Sequence, residues 1–496
     1  MAIRVHSATL NGIEPVPILI EVDFIRRLPK ITFVGLAAHS VQEAAERVRS
    51  AILAIGKEFP RQRIVINLAP ADVKKEGTAF DLPVALGILA ADGQIPASAL
   101  ENVISVGELG LGGELRPIRG ATTLALHARS KRKTLILPKD SASQAEVVPG
   151  AQVLAADHLS EVLDFLVDGS SPPAIPRKPH LTAGFSVDLA EVRGQASGRR
   201  ALEIAAAGAH HLLLLGPPGC GKSMLSQRLP TILPPLSFEE SLEVTQIHGA
   251  AGLLSPGVEL LHQRPFRAPH HTISIAGLVG DRRLRPGEVS LAHHGVLFLD
   301  EACEFPRSVL EVLRTPLEEG VVRLVRAEGS VSWPAAITLV LATNPCPCGR
   351  RGGSQACRCS DGEVFRYRRR LSGPIEDRID LHLELAPPSA ENLTSAIPGE
   401  SSETVRRRVI SARGRQLQRG QTRPNGRLTD ASLEEVLHSS AGARELMQAA
   451  MTELHLSGRG MTRLWRVART IADLDGSEAL EDAHLAEAIG FRLGPM

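Results

Sequence analysis

The sequence predicts a multidomain α/β protein. Three observations carry this. Strand-like and helix-like stretches alternate through two separate regions, a proline-rich stretch divides those regions, and beyond Pro398 strand signals give way to helical patterns alone. A chain of 496 residues suits two to four domains at roughly 100–200 residues each. Apolar residues make up 43% and charged residues 22%, as in an ordinary soluble globular chain. Aromatics are only 3%, so Leu, Ile, Val and Ala must fill the cores.

Over residues 1–168, the short β-branched runs Ile18–Val22, Arg63–Leu68, Val103–Val106 and Thr134–Leu137 read as strands, and Val41–Ile55 and Leu82–Ala91 as helices. Asp168–Leu181 holds four prolines and reads as a linker, assigned to 169–185. In the next region, 186–395, His211–Leu215, Val296–Asp300 and Ile337–Thr343 are uncharged until their last residues, a pattern that suits buried parallel strands. The last region, 396–496, reads as a helical bundle with helices at Ser402–Leu417, Leu433–Leu437, Ala441–Leu454 and Met461–Leu474.

The chemistry is concentrated in the second region. Gly216-Pro217-Pro218-Gly219-Cys220-Gly221-Lys222-Ser223 follows an apolar strand and opens a helix. Glycines let backbone N–H groups turn inward around phosphates, and the helix start adds free N–H donors and a favourable dipole. In that layout Lys222 contacts the β- and γ-phosphates of ATP and the Ser223 hydroxyl ligates Mg²⁺. Val296–Glu301 is a second apolar strand, ending in two carboxylates. Asp300 is expected to act on the metal, and Glu301 to orient and deprotonate the attacking water. Asn344, after the third strand, is placed to reach the γ-phosphate and that water.

These residues resemble the magnesium-chelatase-like AAA+ ATPases, and within them the ComM/YifB-type bacterial proteins. The matching stretches are GQASGRRALEIAAAGAHHLLLLGPPGCGKS, RPFRAPHHTIS, PGEVSLAHHGVLFLDE, ATNPCPCG, SGPIEDRIDLH and RVARTIADL, and coverage is close to full length. The resemblance implies an AAA+ phosphate-loop αβα sandwich over 186–395 and a helical lid over 396–496. It implies that Asn344 is sensor 1, Arg378 the arginine finger given to a neighbour's ATP, and Arg463 the sensor-2 arginine, with Arg459 as rival. Gly194 and Gln195 lie where the family borders the adenine. A finger acting in trans implies a ring, hence a homohexamer favoured by ATP. The branch implies a DNA motor driving branch migration in transformation and recombination. A chelatase motor subunit and a protein-remodelling ATPase are the alternatives; the resemblance implies that simple chelatase motors lack the first domain.

Lys74–Leu89 and Val106–Gly120 resemble the proteolytic domain of Lon-type proteases, an S5-like α+β fold. The nucleophilic serine and its lysine fall at Ala79 and Thr122, so the domain is expected to be an inactive scaffold. Ser105 and Ser141, the other candidate nucleophiles, have no paired base in either motif.

Cys346-Pro-Cys348 and Cys357-Arg-Cys359 offer four thiolates within fourteen residues. That set suits tetrahedral Zn²⁺, although C-x-C is tighter than usual zinc spacing; reduced loop cysteines are the other reading. Net charge is +1, which neither demands nor excludes nucleic acid. Basic groups at Arg264–Arg267, Arg282–Arg285, Arg366–Arg370 and Arg406–Arg408 suit either a phosphate-facing pore, with DNA bound largely without regard to sequence, or ordinary solvated and packing roles. The opening residues MAIRVHSATL have no apolar leader core and no run is long enough to span a membrane, so a cytoplasmic protein is expected.

Overall fold

The structure is a computed structural model, described for residues 2–35, 41, 43–71, 75, 77–170, 184–255, 258–326, 329–352, 356–371, 373–387 and 399–492, with backbone only at 373 and 374. Most of the expected linker and the expected boundary at 395/396 lie outside the described residues.

The first region is built on a sheet in the order Ile3–Asn11, Glu14–Ile25, Arg63–Ala69, Lys30–Val34, antiparallel except for the last pair. Alternation selects its inner face: Ile18, Ile20 and Val22 of one strand and Ile64, Ile66 and Leu68 of its neighbour are all buried. Helix Asp81–Ala91 packs on that face. It is apolar on every side and buried from Asp81 to Ala90. Gly87 lets it approach, because a Cβ there would stand 2.7 Å from Val22 Cγ2. Its one buried charge, Asp81, is held at 2.7 and 3.0 Å by two nitrogens of Arg47 from helix Ala44–Ala54. Three parallel strands, Val103–Ser105, Thr134–Pro138 and Val153–Ala156, form a second sheet beside helices Ala121–Ser130 and Lys139–Glu146.

The central sheet has five parallel strands in the order Phe266–Arg267, Val296–Leu299, Thr338–Thr343, Leu212–Leu215, Leu381–Glu384. Every residue of its three middle strands is buried, because both faces are covered. Leu212, Leu214 and Val340 point into one core, with helices Ala196–Gly208, Lys222–Ile232 and Ser402–Gln418. Leu213, Leu297 and Leu339 point into the other, with Leu310, Leu317 and Ile379. The antiparallel hairpin Val321–Arg326/Gly329–Pro334 stands outside this sheet.

The helices expected at the end of the chain occur as Ser402–Gln418, Asp430–Val436, Ala441–Glu453 and Gly458–Asp475, followed by Asp482–Gly490. Ser401, Thr429, Ser440 and Ser457 cap the first four, each side chain accepting the N–H three residues on. Val409, Leu464 and Ile471 share the core of Leu212 and Leu214, so these helices are packed onto the sheet.

A buried charge cluster sits at the amino end of the sheet. Asp380 Oδ2 accepts from His210 Nδ1 (3.1 Å) and the His211 N–H (3.3 Å), and Oδ1 lies 3.7 Å from Arg463 Nε. Burial alone would raise the Asp380 pKa, but the His210 hydrogen bond and the surrounding positive groups hold it well below the usual range. Burial, then Arg427, pushes His211 far below its ordinary 6.5. Burial, then Arg492, brings His382 down to about 4. Both imidazoles are thus neutral when folded and take up protons on unfolding once the pH is below 6.5. Stability is therefore expected to fall as pH drops from about 6.5 towards 4, by up to ~1.4 kcal/mol per pH unit for each histidine. Urea unfolding at a series of pH values reads this directly; a flat profile over that window would contradict it.

Candidate nucleotide site

The loop 216–223 links Leu212–Leu215 to helix Lys222–Ile232 at the carboxyl edge of the sheet. Gly219 and Gly221 take φ of +82° and +93°, in the left-handed region where a side chain is strained. Gly216 is required sterically, since a Cβ would lie 2.6 Å from Leu385 O and 2.7 Å from Cys220 Sγ. Cys220 itself is buried. Parallel register brings the ends of the neighbouring strands level: Leu215 pairs with Thr343, and Leu299 with Leu341. Asp300, Asn344 and Gly216 therefore leave the sheet along one edge, where such folds bind ligands.

The side chains meet there. Lys222, buried at 8% exposure, donates from Nζ to Gly216 O (2.5 Å), Pro217 O (3.0 Å) and Asn344 Oδ1 (3.2 Å). The Ser223 hydroxyl donates to Asp300 Oδ2 at 2.7 Å. Asp300 Oδ1 accepts the Glu301 N–H at 3.0 Å, and Glu301 adopts φ +51° with its side chain half exposed. Gln195, which follows Gly194 (φ +67°), donates from Nε2 to Cys220 O (3.0 Å) and Ala386 O (2.8 Å), tying the segment before the first helix to the phosphate loop. Pro218 faces Gly349, whose Cβ would come within 2.9 Å of the proline ring.

Two arginines are not brought to this edge. Arg463 lies beside Asp380 at the amino end of the sheet. Asp380 and Leu381 hydrogen-bond His211 O there, a four-residue strand, or roughly 13 Å, from the loop. The helix Gly458–Asp475 turns Arg463, the expected sensor-2 arginine, towards that end, so within one chain it stands apart from the phosphate loop. Arg459, in the first turn, is exposed. Arg378, two residues before Asp380, is buried and paired with Glu318.

Sequence reasoning missed His271, whose Nδ1 lies 3.5 Å from Glu301 Oε2 and whose ring stands edge-on to Phe305. The adjacent His270-His271 pair in RPFRAPHHTIS was the available signal. Of the basic groups, Arg264 is spent on packing, bonding Pro234 O, His294 O and Glu240, and Arg267 on Glu288. Arg408 is paired with Glu203 and Glu400. Arg282, Arg283 and Arg285 are exposed, on a turn whose 283 and 285 N–H groups are held by Asp281 Oδ1.

In the first region, Thr122 Oγ1 donates to Gln144 O (2.9 Å), and the neighbouring Thr123 accepts from Gln246 Nε2 (2.9 Å) of helix Phe238–Ala251. Ala79 packs into the core around Ala121 and Leu124. Ser141 exchanges bonds with the Ile118 backbone and Ser105 is fully buried, so neither is presented to a substrate. No helix among the described residues is long and apolar enough to cross a membrane.

Three family models match the chain: "Magnesium chelatase, subunit ChlI" over 188–393, "Subunit ChlI of Mg-chelatase" over 20–141, and "Magnesium chelatase, subunit ChlI C-terminal" over 399–492. The chain is 42% identical to YifB of Escherichia coli (strain K12) over 98% of this chain and 96% of that one. It is 40% identical to competence protein ComM of Haemophilus influenzae over 98% and 97% of the two chains. A shorter similarity, 26% over 145 residues, links it to the Holliday junction branch migration complex subunit RuvB of Rhodopirellula baltica, covering 29% of this chain and 27% of that one. With a mixed α/β structure around a parallel sheet, and near-complete alignment at about 40% identity, the chain belongs to the magnesium-chelatase-like proteins of ComM/YifB type.

Proposed function

We propose that this protein is an ATP-hydrolysing AAA+ motor that assembles as a homohexamer and drives branch migration on DNA. One observation carries the ATPase reading: Lys222 bonded to Asn344 and Ser223 bonded to Asp300, joining three strand ends at one edge of a parallel sheet. Ser223 and Asp300 present hard oxygen donors 2.7 Å apart, a pair that suits Mg²⁺. The ion, when bound, neutralises charge on the β- and γ-phosphates. Lys222 exchanges its carbonyl partners for phosphate oxygens, the amides of the glycine loop wrap them, Asn344 and Glu301 position and deprotonate water, and Gln195 holds the segment that borders the base. Arg378 serves the neighbouring subunit after leaving Glu318.

The DNA reading draws on the names of two relatives, a competence protein and a branch migration subunit, and on the exposed Arg282, Arg283 and Arg285. We read residues 1–168 as a Lon-like scaffold without its nucleophile, consistent with Ala79 and Thr122 at the two catalytic positions, and 396–496 as the lid. A chelatase motor is the second reading. The first-region match at 20–141 itself carries the chelatase name, so the presence of that region does not separate the two.

ATPase assays with and without four-way-junction DNA test the proposal. The expected result is stimulation by DNA, with DNA binding that weakens steeply with salt. Lys222→Ala is expected to reduce hydrolysis roughly a hundredfold or more, with the fold intact by circular dichroism. Absence of DNA binding at low salt would sink the DNA motor; full hydrolysis by Lys222→Ala would sink the assigned site.

A further inference from the structure

We propose that Cys346, Cys348, Cys357 and Cys359 bind one zinc ion, and that the loop this closes forms a wall of the nucleotide site. The second half rests on the nucleotide reading above; the first does not.

All four sulfurs lie within 4.8 Å of one another. The distances are 3.4 Å for Cys346–Cys348, 3.7 Å for Cys346–Cys357 and 3.6 Å for Cys348–Cys357. A tetrahedron with Zn–S bonds of about 2.3 Å has edges of about 3.8 Å, so the sulfurs already stand close to the corners of a four-thiolate zinc site. They are far too close for the corners of an iron–sulfur cluster. The backbone is shaped for this too. The Gly349 N–H closes a turn onto Cys346 O at 2.9 Å with Gly349 at φ +76°, which brings the tight C-x-C pair onto one side of the loop. The Cys359 N–H donates to Cys357 Sγ at 3.4 Å, holding the second pair. Residues 353–355 lie outside the described residues and supply none of the four ligands.

The other convergent group, Glu243, His293 and His294, does not read the same way. His293 Nδ1 accepts the Ala336 N–H at 2.9 Å, so Nε2 carries the proton that it donates to Glu243 at 3.0 Å. His294 Nε2 meets the same oxygen at 2.7 Å. That cluster is satisfied as a hydrogen-bond network.

The position of the cysteines gives the metal its role. Cys346 comes two residues after Asn344, which holds Lys222. Arg368, from the helix after Cys359, donates to Pro345 O at 3.2 Å, closing the loop from its far side. Gly349, inside the loop, abuts Pro218 of the phosphate loop. A zinc-closed loop therefore fixes both the Asn344 amide and one side of the phosphate cradle.

The test uses the full chain, expressed with zinc and purified under reducing conditions without chelator. Elemental analysis is expected to find about one zinc per chain. The Cys348→Ser/Cys359→Ser double variant should lose the metal and weaken binding of a fluorescent ATP analogue by about ten- to a hundredfold. Arg368→Ala, which releases Pro345 O but leaves the Gly349 turn and all four sulfurs in place, should keep the zinc and weaken the analogue in the same direction, which guards against a cysteine variant that simply misfolds. Four freely titratable thiols without metal, or iron in place of zinc, would overturn the site. Unchanged analogue affinity in both variants would overturn the wall. A wild-type chain that holds zinc but binds no ATP would leave the metal standing and remove the nucleotide reading instead.

Discussion

Glu301→Gln is expected to lower kcat for ATP hydrolysis by about 10²–10⁴ while leaving ATP affinity nearly unchanged. The acid and the amide are isosteric, and both must adopt the same φ of +51°, so the backbone cost cancels in the comparison. What the variant loses is the capacity to accept a proton from water. Ser223, Asp300 and Lys222 keep their mutual bonds, none of which involves the Glu301 side chain. The loss should therefore fall on the chemical step. His271, 3.5 Å from Glu301, adds a check: His271→Ala should give a smaller fall in the same direction by loosening the carboxylate. Steady-state kinetics with a parallel nucleotide-binding titration separate the effects. A Glu301→Gln enzyme that keeps its kcat, or that loses affinity instead, removes Glu301 from the role of base.

Asp380→Ala is expected to destabilise the chain by about 3–5 kcal/mol, far more than loss of an exposed pair. The carboxylate is the shared partner of His210, the His211 N–H and Arg463. Removing it leaves the Arg463 guanidinium, 11% exposed, without its counter-charge. The exposed Arg307–Glu311 pair is the control; Glu311→Ala should cost ~0.5 kcal/mol or less. Midpoints of urea unfolding compare the two variants. Equal shifts would show that the cluster is solvated rather than buried.

The parts of the site carried by short local patterns were legible in the sequence. A glycine loop after LLLL and two acids after VLFL announce themselves, because a buried parallel strand must be uncharged until it leaves the sheet. Helices with Ser or Thr caps were likewise found to within a few residues. What local patterns do not carry is which face of an element meets which neighbour. Arg463 sits on a helix that was correctly placed, but the end of the sheet its side chain faces is decided only by packing. The strand Ile3–Asn11 and the hairpin Val321–Pro334 were overlooked although signals existed. Asn11-Gly12 is a tight-turn pair, and Val322, Arg323 and Leu324 alternate buried and exposed. The meeting of Gly349 with Pro218 could not be read from sequence, because it joins loops more than a hundred residues apart.

The grip between the first region and the rest of the chain bears on how this protein can be handled. Ile13 fills part of the core beneath the Val321–Pro334 hairpin, and Leu242 of helix Phe238–Ala251 fills part of the core around Leu124, so each side lends a plug to the other. Asn11 donates to Ser330 O at 3.1 Å and Gln246 to Thr123 at 2.9 Å across the same seam. A minimal ATPase made by cutting at residue 186 would bare Leu242 and the core that Ile13 plugs, inviting clumping rather than yielding a clean fragment.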